Sequence, residues 1–169
     1  MERFTNNFQE VLNQLKKEFF DFKNINPEIE ILTFLEYPKH PIHYGISFYI
    51  KNDKLKCLFR YWDSAYDNNR FKSGVFNIDR LAISEQMLEI NDTFVQAFNK
   101  IDFDALNTIE TEGISIGGWH VEINIVKLNK CLDWNFDQQM NPSLRELVQL
   151  IRNLVEPVIE IKEDSKYRF

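Results

Sequence analysis

The period of the apolar positions changes within the first quarter of the chain. Phe4, Phe8, Val11, Leu12, Leu15, Phe19 and Phe22 recur every three or four residues, the spacing that lays one stripe along a helix. The stripe ends before the stretch NINP, and beyond Pro27 the period falls to two. Ile29, Ile31, Thr33, Leu35 and Tyr37 alternate with Glu30, Leu32, Phe34 and Glu36, a strand with one wetter face. After a turn at KHP, Ile42, Tyr44, Ile46, Phe48 and Ile50 fall on one face, with His43, Gly45, Ser47 and Tyr49 on the other. KNDK then leads into Leu55, Cys57, Phe59 and Tyr61, alternating with Lys56, Leu58, Arg60 and Trp62. Three strands joined by short turns predict an antiparallel meander.

The middle of the chain is less regular. Ser84 is placed to cap a helix containing Met87, Leu88, Phe94, Val95, Phe98 and Ile101, with an interruption near IND. The polar stretch DFDALNTIETEG reads as a loop. ISIGGWHVEINIV and KCLDWNF read as two more strands joined around KLNK, bringing the strands to about five. In NPSLRELVQLIRNLVEP, Asn141 can cap a helix, Pro142 suits its first position, and Leu144, Leu147, Val148, Ile151, Leu154 and Val155 form its stripe. Pro157 is expected to stop this helix, leaving VIEIKEDSKYRF as a short edge strand or a frayed end. The order predicts an α+β fold, an antiparallel sheet with helices packed mainly on one face. With 169 residues, the chain suits a single globular domain, 1–169, and its 15 phenylalanines point to an aromatic core.

Charge adds a direction to this picture. Between Asp79 and Glu112 stand eight acids (Asp79, Glu85, Glu89, Asp92, Asp102, Asp104, Glu110, Glu112) and two bases, Arg80 and Lys100, which accounts for the whole formal charge of −6. Such a field repels nucleic acid and anionic membrane and attracts a basic protein. The same run also suits an acidic, solvated helix face. The first residues, MERFTNNFQE, lack a basic region followed by an apolar run, and no apolar stretch is long enough to span a bilayer. Cys57 and Cys131 are isolated and read as reduced thiols, so a cytoplasmic location is expected.

The candidate chemistry thins out on inspection. His40, His43 and His120 could supply zinc with three imidazoles, but Pro41 separates a turn residue from a strand residue, and no cysteine or carboxylate stands at ligand spacing. Neither cysteine lies in a nucleophile elbow, and GISIGG lacks the lysine and hydroxyl of a phosphate loop. Asp102 with Asp104, and Glu110 with Glu112, could bind a cation or act as acid and base only if other elements completed the site. DSAYDNNRFKSG fails as a calcium loop, because Ala65 and Gly74 occupy ligand positions and Asn68 replaces the turn glycine. No cofactor is implied.

YWDSAYDNN, residues 61–69, sets aromatic residues beside acids. Tyr61 is expected to point inward with Phe59 and Cys57, while Trp62, Asp63, Tyr66 and Asp67 form a surface able to anchor a basic partner or to close the sheet edge. The last third, GGWHVEINIV, CLDWNF and NPSLRELVQLIRNLVE, resembles the C-terminal pattern of small bacterial immunity-type proteins that accompany polymorphic or contact-dependent toxins. The resemblance covers Gly117 to Glu156 and implies a compact, acidic, cytoplasmic, non-catalytic protein that binds a cognate toxin domain, often a basic nuclease. The expected function is therefore non-catalytic neutralisation of a basic protein partner. Its expected contact residues are Trp62, Asp63, Tyr66, Asp67, Glu85, Glu89, Asp92, Asp102 and Asp104. The alternatives are a small-ligand or metal-dependent enzyme using His40, His43 and His120 with Asp102 or Asp104, and a structural subunit of a larger assembly.

Overall fold

The computed structural model describes residues 8–20, 26–37, 42–110, 120–135 and 137–166. The fold is α+β. Six strands, β1 (Ile29–Tyr37), β2 (Ile42–Lys51), β3 (Lys54–Asp63), β4 (Ile83–Leu88), β5 (His120–Ile125) and β6 (Lys130–Trp134), form one antiparallel sheet in the order β4-β3-β2-β1-β5-β6. Four helices accompany it: α1 (Phe8–Phe19), α2 (Ser64–Lys72), α3 (Asp92–Lys100) and α4 (Pro142–Lys166). No described helix is long and apolar enough to cross a membrane. The chain divides into two compact units, residues 1–89 with 114–135, and residues 90–113 with 136–169.

In the first unit the predicted meander is present. The β2–β3 hairpin pairs from Ile42↔Asp63 to Lys51↔Lys54 around Asn52 and Asp53. Both turn residues have positive φ (53° and 54°), the conformation of the two-residue turn whose twist matches the strands, and Asn and Asp tolerate it better than other side chains. Glu28 accepts the Asn52 amide at 2.9 Å and ties the start of β1 to this turn.

Val11, Leu15 and Phe19 of α1 form a buried cluster with Leu35 and Trp62, completed by Phe76, Ile78, Leu81 and Ile83. Gly45 makes this approach possible. A Cβ there would lie 2.8 Å from Leu35 Cδ2 and 3.0 Å from Phe19 Cγ, so a side chain at this position would crowd Leu35 of β1 and Phe19 of the helix. Polar contacts fix the helix as well. Lys16 pairs with Glu122 of β5 at 2.5 Å, and this ion pair satisfies the otherwise orphaned Glu122 Oε2. Arg60 of β3, buried beside Gly45 in the register, donates 2.7 Å to the Phe19 carbonyl, placing a cation at the negative end of α1. The opposite sheet face carries Phe34, Tyr44, Ile46, Phe48, Cys57, Phe59 and Tyr61, all buried, with the Tyr44 and Phe59 rings stacked 5.8 Å apart.

Two expectations for the middle of the chain are corrected here. Ser84 does not start a helix. Residues 83–88 are a strand, in register with β3 from Trp62↔Ile83 to Cys57↔Leu88, which is why the sheet has six strands and not five. The helix begins after Asn91, whose side chain accepts the Phe94 amide at 2.8 Å. The apolar pattern mixed a strand and a helix that share no common period, and Asn91 marks the join.

The second unit is built from α3, a loop and α4. Phe94 stacks on Phe98 with centroids 5.9 Å apart, Phe103 meets Phe98 edge-to-face at 5.5 Å, and Leu106 is buried beyond them in the chain. Asn141 joins the loop to α4: its side-chain oxygen caps the Leu144 amide (2.9 Å) and its Nδ2 donates to the Ala105 carbonyl (2.6 Å). Pro157 does not stop α4, which continues to Lys166. Proline lacks the N–H that would bond the Asn153 carbonyl, and both residues are exposed, which leaves that carbonyl open to solvent while the helix continues.

Candidate functional site

YWDSAYDNN runs from the end of β3 into α2. Tyr61 and Phe59 are buried on the same face as Cys57, as the alternation predicts. Asp63 caps α2, its Oδ1 accepting the Tyr66 amide at 3.0 Å. The remainder differs from expectation. Trp62 is 1% exposed and Asp67 0%, so neither belongs to a contact surface.

Asp67 is instead the centre of a buried knot. Its Oδ2 accepts Trp62 Nε1 (2.8 Å) and the Ala82 amide (2.8 Å), and its Oδ1 accepts Arg70 Nη1 (2.7 Å). Arg70 also donates to the Arg80 carbonyl at 2.9 Å. A carboxylate taken from water needs this many donors, one of them charged. The knot fastens β3, α2 and the chain entering β4 to one another. Tyr66 is the exposed aromatic residue of the stretch, 57% accessible, with the Arg70 guanidinium 5.8 Å from its ring centre.

The acidic segment, by contrast, faces water. Asp79, Glu85 and Glu89 in the first unit are exposed, as are Asp92, Asp102, Asp104 and Glu110 in the second. Glu112 lies outside the described residues. Glu85 pairs with Arg60 at 2.9 Å while keeping 44% of its side chain accessible. Asp92 stands in the first turn of α3, where the helix dipole favours an anion. Asp102 closes a local turn by accepting the amides of Asp104 (3.1 Å) and Ala105 (3.2 Å).

The residues of the enzyme alternative are not assembled among the described residues. His120 shares 3.1 Å with Asn135 Oδ1, and its Nε2 is 4.0 Å from Glu122. Asp102 and Asp104 belong to the other unit, while His40 and the His43 side chain lie outside the described residues. No group of three or more histidine, cysteine or acidic side chains among the described residues has metal-binding geometry. Burial pushes the Cys57 thiol far above its ordinary pKa, and Cys131 is raised by partial burial and then by Glu122 and Asp133, which disfavours either as a thiolate nucleophile.

The two larger open clefts among the described residues each lie within a single unit. One, of about 570 Å³, is lined by Ile109, Gln138, Met140, Pro142, Arg145, Glu146 and Gln149. The other, about 550 Å³, is lined by Glu10, Phe71, Gly74, Phe76, Asn77 and Ile78. Neither sets a nucleophile beside a base.

Sequence reasoning missed helix α2 and edge strand β4. Asp63, a capping residue ahead of Ser-Ala-Tyr-Asp, signalled the first. For the second, Ile83, Glu85 and Met87 alternate with Ser84 and Gln86, but only Leu88 is buried among the six. No family model matches the chain, and neither a curated protein nor a solved structure is significantly similar to it.

Proposed function

We propose that the protein is a non-catalytic binding protein that neutralises a basic protein partner, most concretely an immunity protein blocking a cognate toxin domain. One observation carries this reading: all seven described acids of the segment holding the chain's excess negative charge are exposed. Exposed carboxylates in excess raise the encounter rate with a basic protein and pair with its lysines and arginines. The contact residues proposed in the first unit are Glu85 and Glu89, with Asp63 at the start of α2 and Tyr66 as an aromatic anchor; those proposed in the second unit are Asp92, Asp102 and Asp104. The resemblance of the last third to immunity-type proteins agrees with this assignment. Trp62 and Asp67 support the surface from within.

The test is capture of the partner on the immobilised protein, followed by titration across ionic strength. Binding is expected to weaken steeply with salt, and the double substitution Glu89→Lys, Asp92→Lys is expected to weaken it at least tenfold. A specific partner bound equally well at every salt concentration, and by the charge-reversed variant, would overturn the proposal.

A further inference from the structure

We infer that β4 is the docking element for that partner, and that it binds an extended basic segment added as a seventh strand. This rests on the basic-partner reading and goes further by giving it a mode.

β4 is an edge of the sheet, and among the described residues no strand lies on its outer side. The phase of its pairing is fixed by the Asp63 amide, which donates to the Ala82 carbonyl at 2.9 Å. In an antiparallel ladder this directs the peptide groups of Ser84 and Gln86 toward β3 and those of Glu85 and Met87 outward. The four residues Ser84–Met87 are all exposed, Met87 at 49%. An edge of this kind presents alternate unpaired amides and carbonyls, the template for strand addition.

The side chains specify the occupant. Glu85 and Met87 project from the same sheet face, so the added strand carries a lysine or arginine opposite Glu85 and an apolar residue opposite Met87, two positions apart. Glu89, just past the end of β4, extends the acidic character. A second copy of the chain is disfavoured by the same residues. Antiparallel self-pairing centred on Ser84, Glu85 or Gln86 sets the two Glu85 side chains diagonal to, or directly across from, one another, and like charges there are destabilising.

The probe is a synthetic peptide repeating Lys-Thr-Val-Thr, which sets lysine and valine two positions apart on one strand face, titrated against the full-length protein by fluorescence anisotropy at low salt. Two further versions carry backbone N-methyl groups at alternate residues, one along each edge of the peptide. Strand addition predicts binding by the parent, at least tenfold weaker binding when the edge facing β4 is methylated, and retained binding when the other edge is. It also predicts slowed hydrogen exchange at the Glu85 and Met87 amides. Binding that ignores methylation of both edges and leaves those amides unprotected would overturn strand addition while leaving the acidic-surface reading intact. Absence of peptide binding would also overturn it, and partner capture would then judge the broader reading separately.

Discussion

Two stretches of the chain, residues 61–69 and 79–89, both place acids beside bulky side chains, and the fold treats them in opposite ways. In the first, Asp67 is buried with three donors around it; in the second, Asp79, Glu85 and Glu89 remain at the surface. Residue type does not decide between these fates. A carboxylate is buried when the surrounding backbone and side chains converge enough donors on it, and is left in water otherwise. Trp62 sits at the last position of a buried strand face, where its indole N–H needs an acceptor five residues ahead, and α2 brings Asp67 there. Among the described residues no strand lies beyond β4 to supply such donors.

The contrast can be broken most directly at Asp67. Asp67→Ala removes the acceptor shared by the indole N–H, the Ala82 amide and the Arg70 guanidinium, and a loss of about 3–5 kcal/mol is expected in urea unfolding. Asp67→Asn, which keeps an acceptor but not the charge, is expected to cost less, about 1–3 kcal/mol. If Asp67→Ala were as mild as a surface substitution, the knot would not be structural. Next in size is Gly45→Ala, which forces Leu35 and Phe19 apart and is expected to cost about 1–3 kcal/mol by the same measurement.

Glu85→Gln stands between the two regimes. It withdraws a counter-charge from the buried Arg60 but leaves a hydrogen-bond acceptor, so about 1 kcal/mol is expected, with weaker partner binding. Glu89→Lys sharpens the other side of the comparison. Stability is expected to stay within about 0.5 kcal/mol of the parent, while affinity for a basic partner falls.

The smallest effect concerns the thiols. Exposed Cys131 is expected to react with a disulfide reagent in the folded protein, and buried Cys57 only after unfolding. Because burial raises the Cys57 pKa, its neutral thiol favours the folded state fully only below the ordinary thiol pKa. Above that value the unfolded chain ionises and the folded one does not, so stability is expected to decline as pH rises through the alkaline range.

Much of the sheet was legible because β1, β2 and β3 are runs rich in apolar and β-branched residues bounded by turn chemistry, although the burial of both faces of β3 blurs the alternation there. β4 was obscured for the reason that makes it interesting: an edge strand with one buried residue carries no strong alternation. The extension of α4 past Pro157 was not legible because proline is also tolerated within a helix that continues through it, and the local sequence does not separate that case from a stop. The acidic segment was visible as composition, and the structure confirmed its exposure. The site at Trp62 and Asp67 misled because charge and aromaticity are shared by interfaces and by buried polar networks, and only three-dimensional convergence separates them.

Arg60 has a consequence for the order of folding. Its guanidinium meets a carbonyl 41 residues earlier in the chain and a carboxylate 25 residues later, so its contacts close only when α1, the hairpin and β4 have all arrived. Contacts of such long sequence separation form late, and their loss accelerates unfolding more than it slows refolding. In stopped-flow experiments Arg60→Met is thus expected to steepen escape from the native state with little change in the rate of reaching it. A single buried cation then sets how long the edge strand and the first helix persist together.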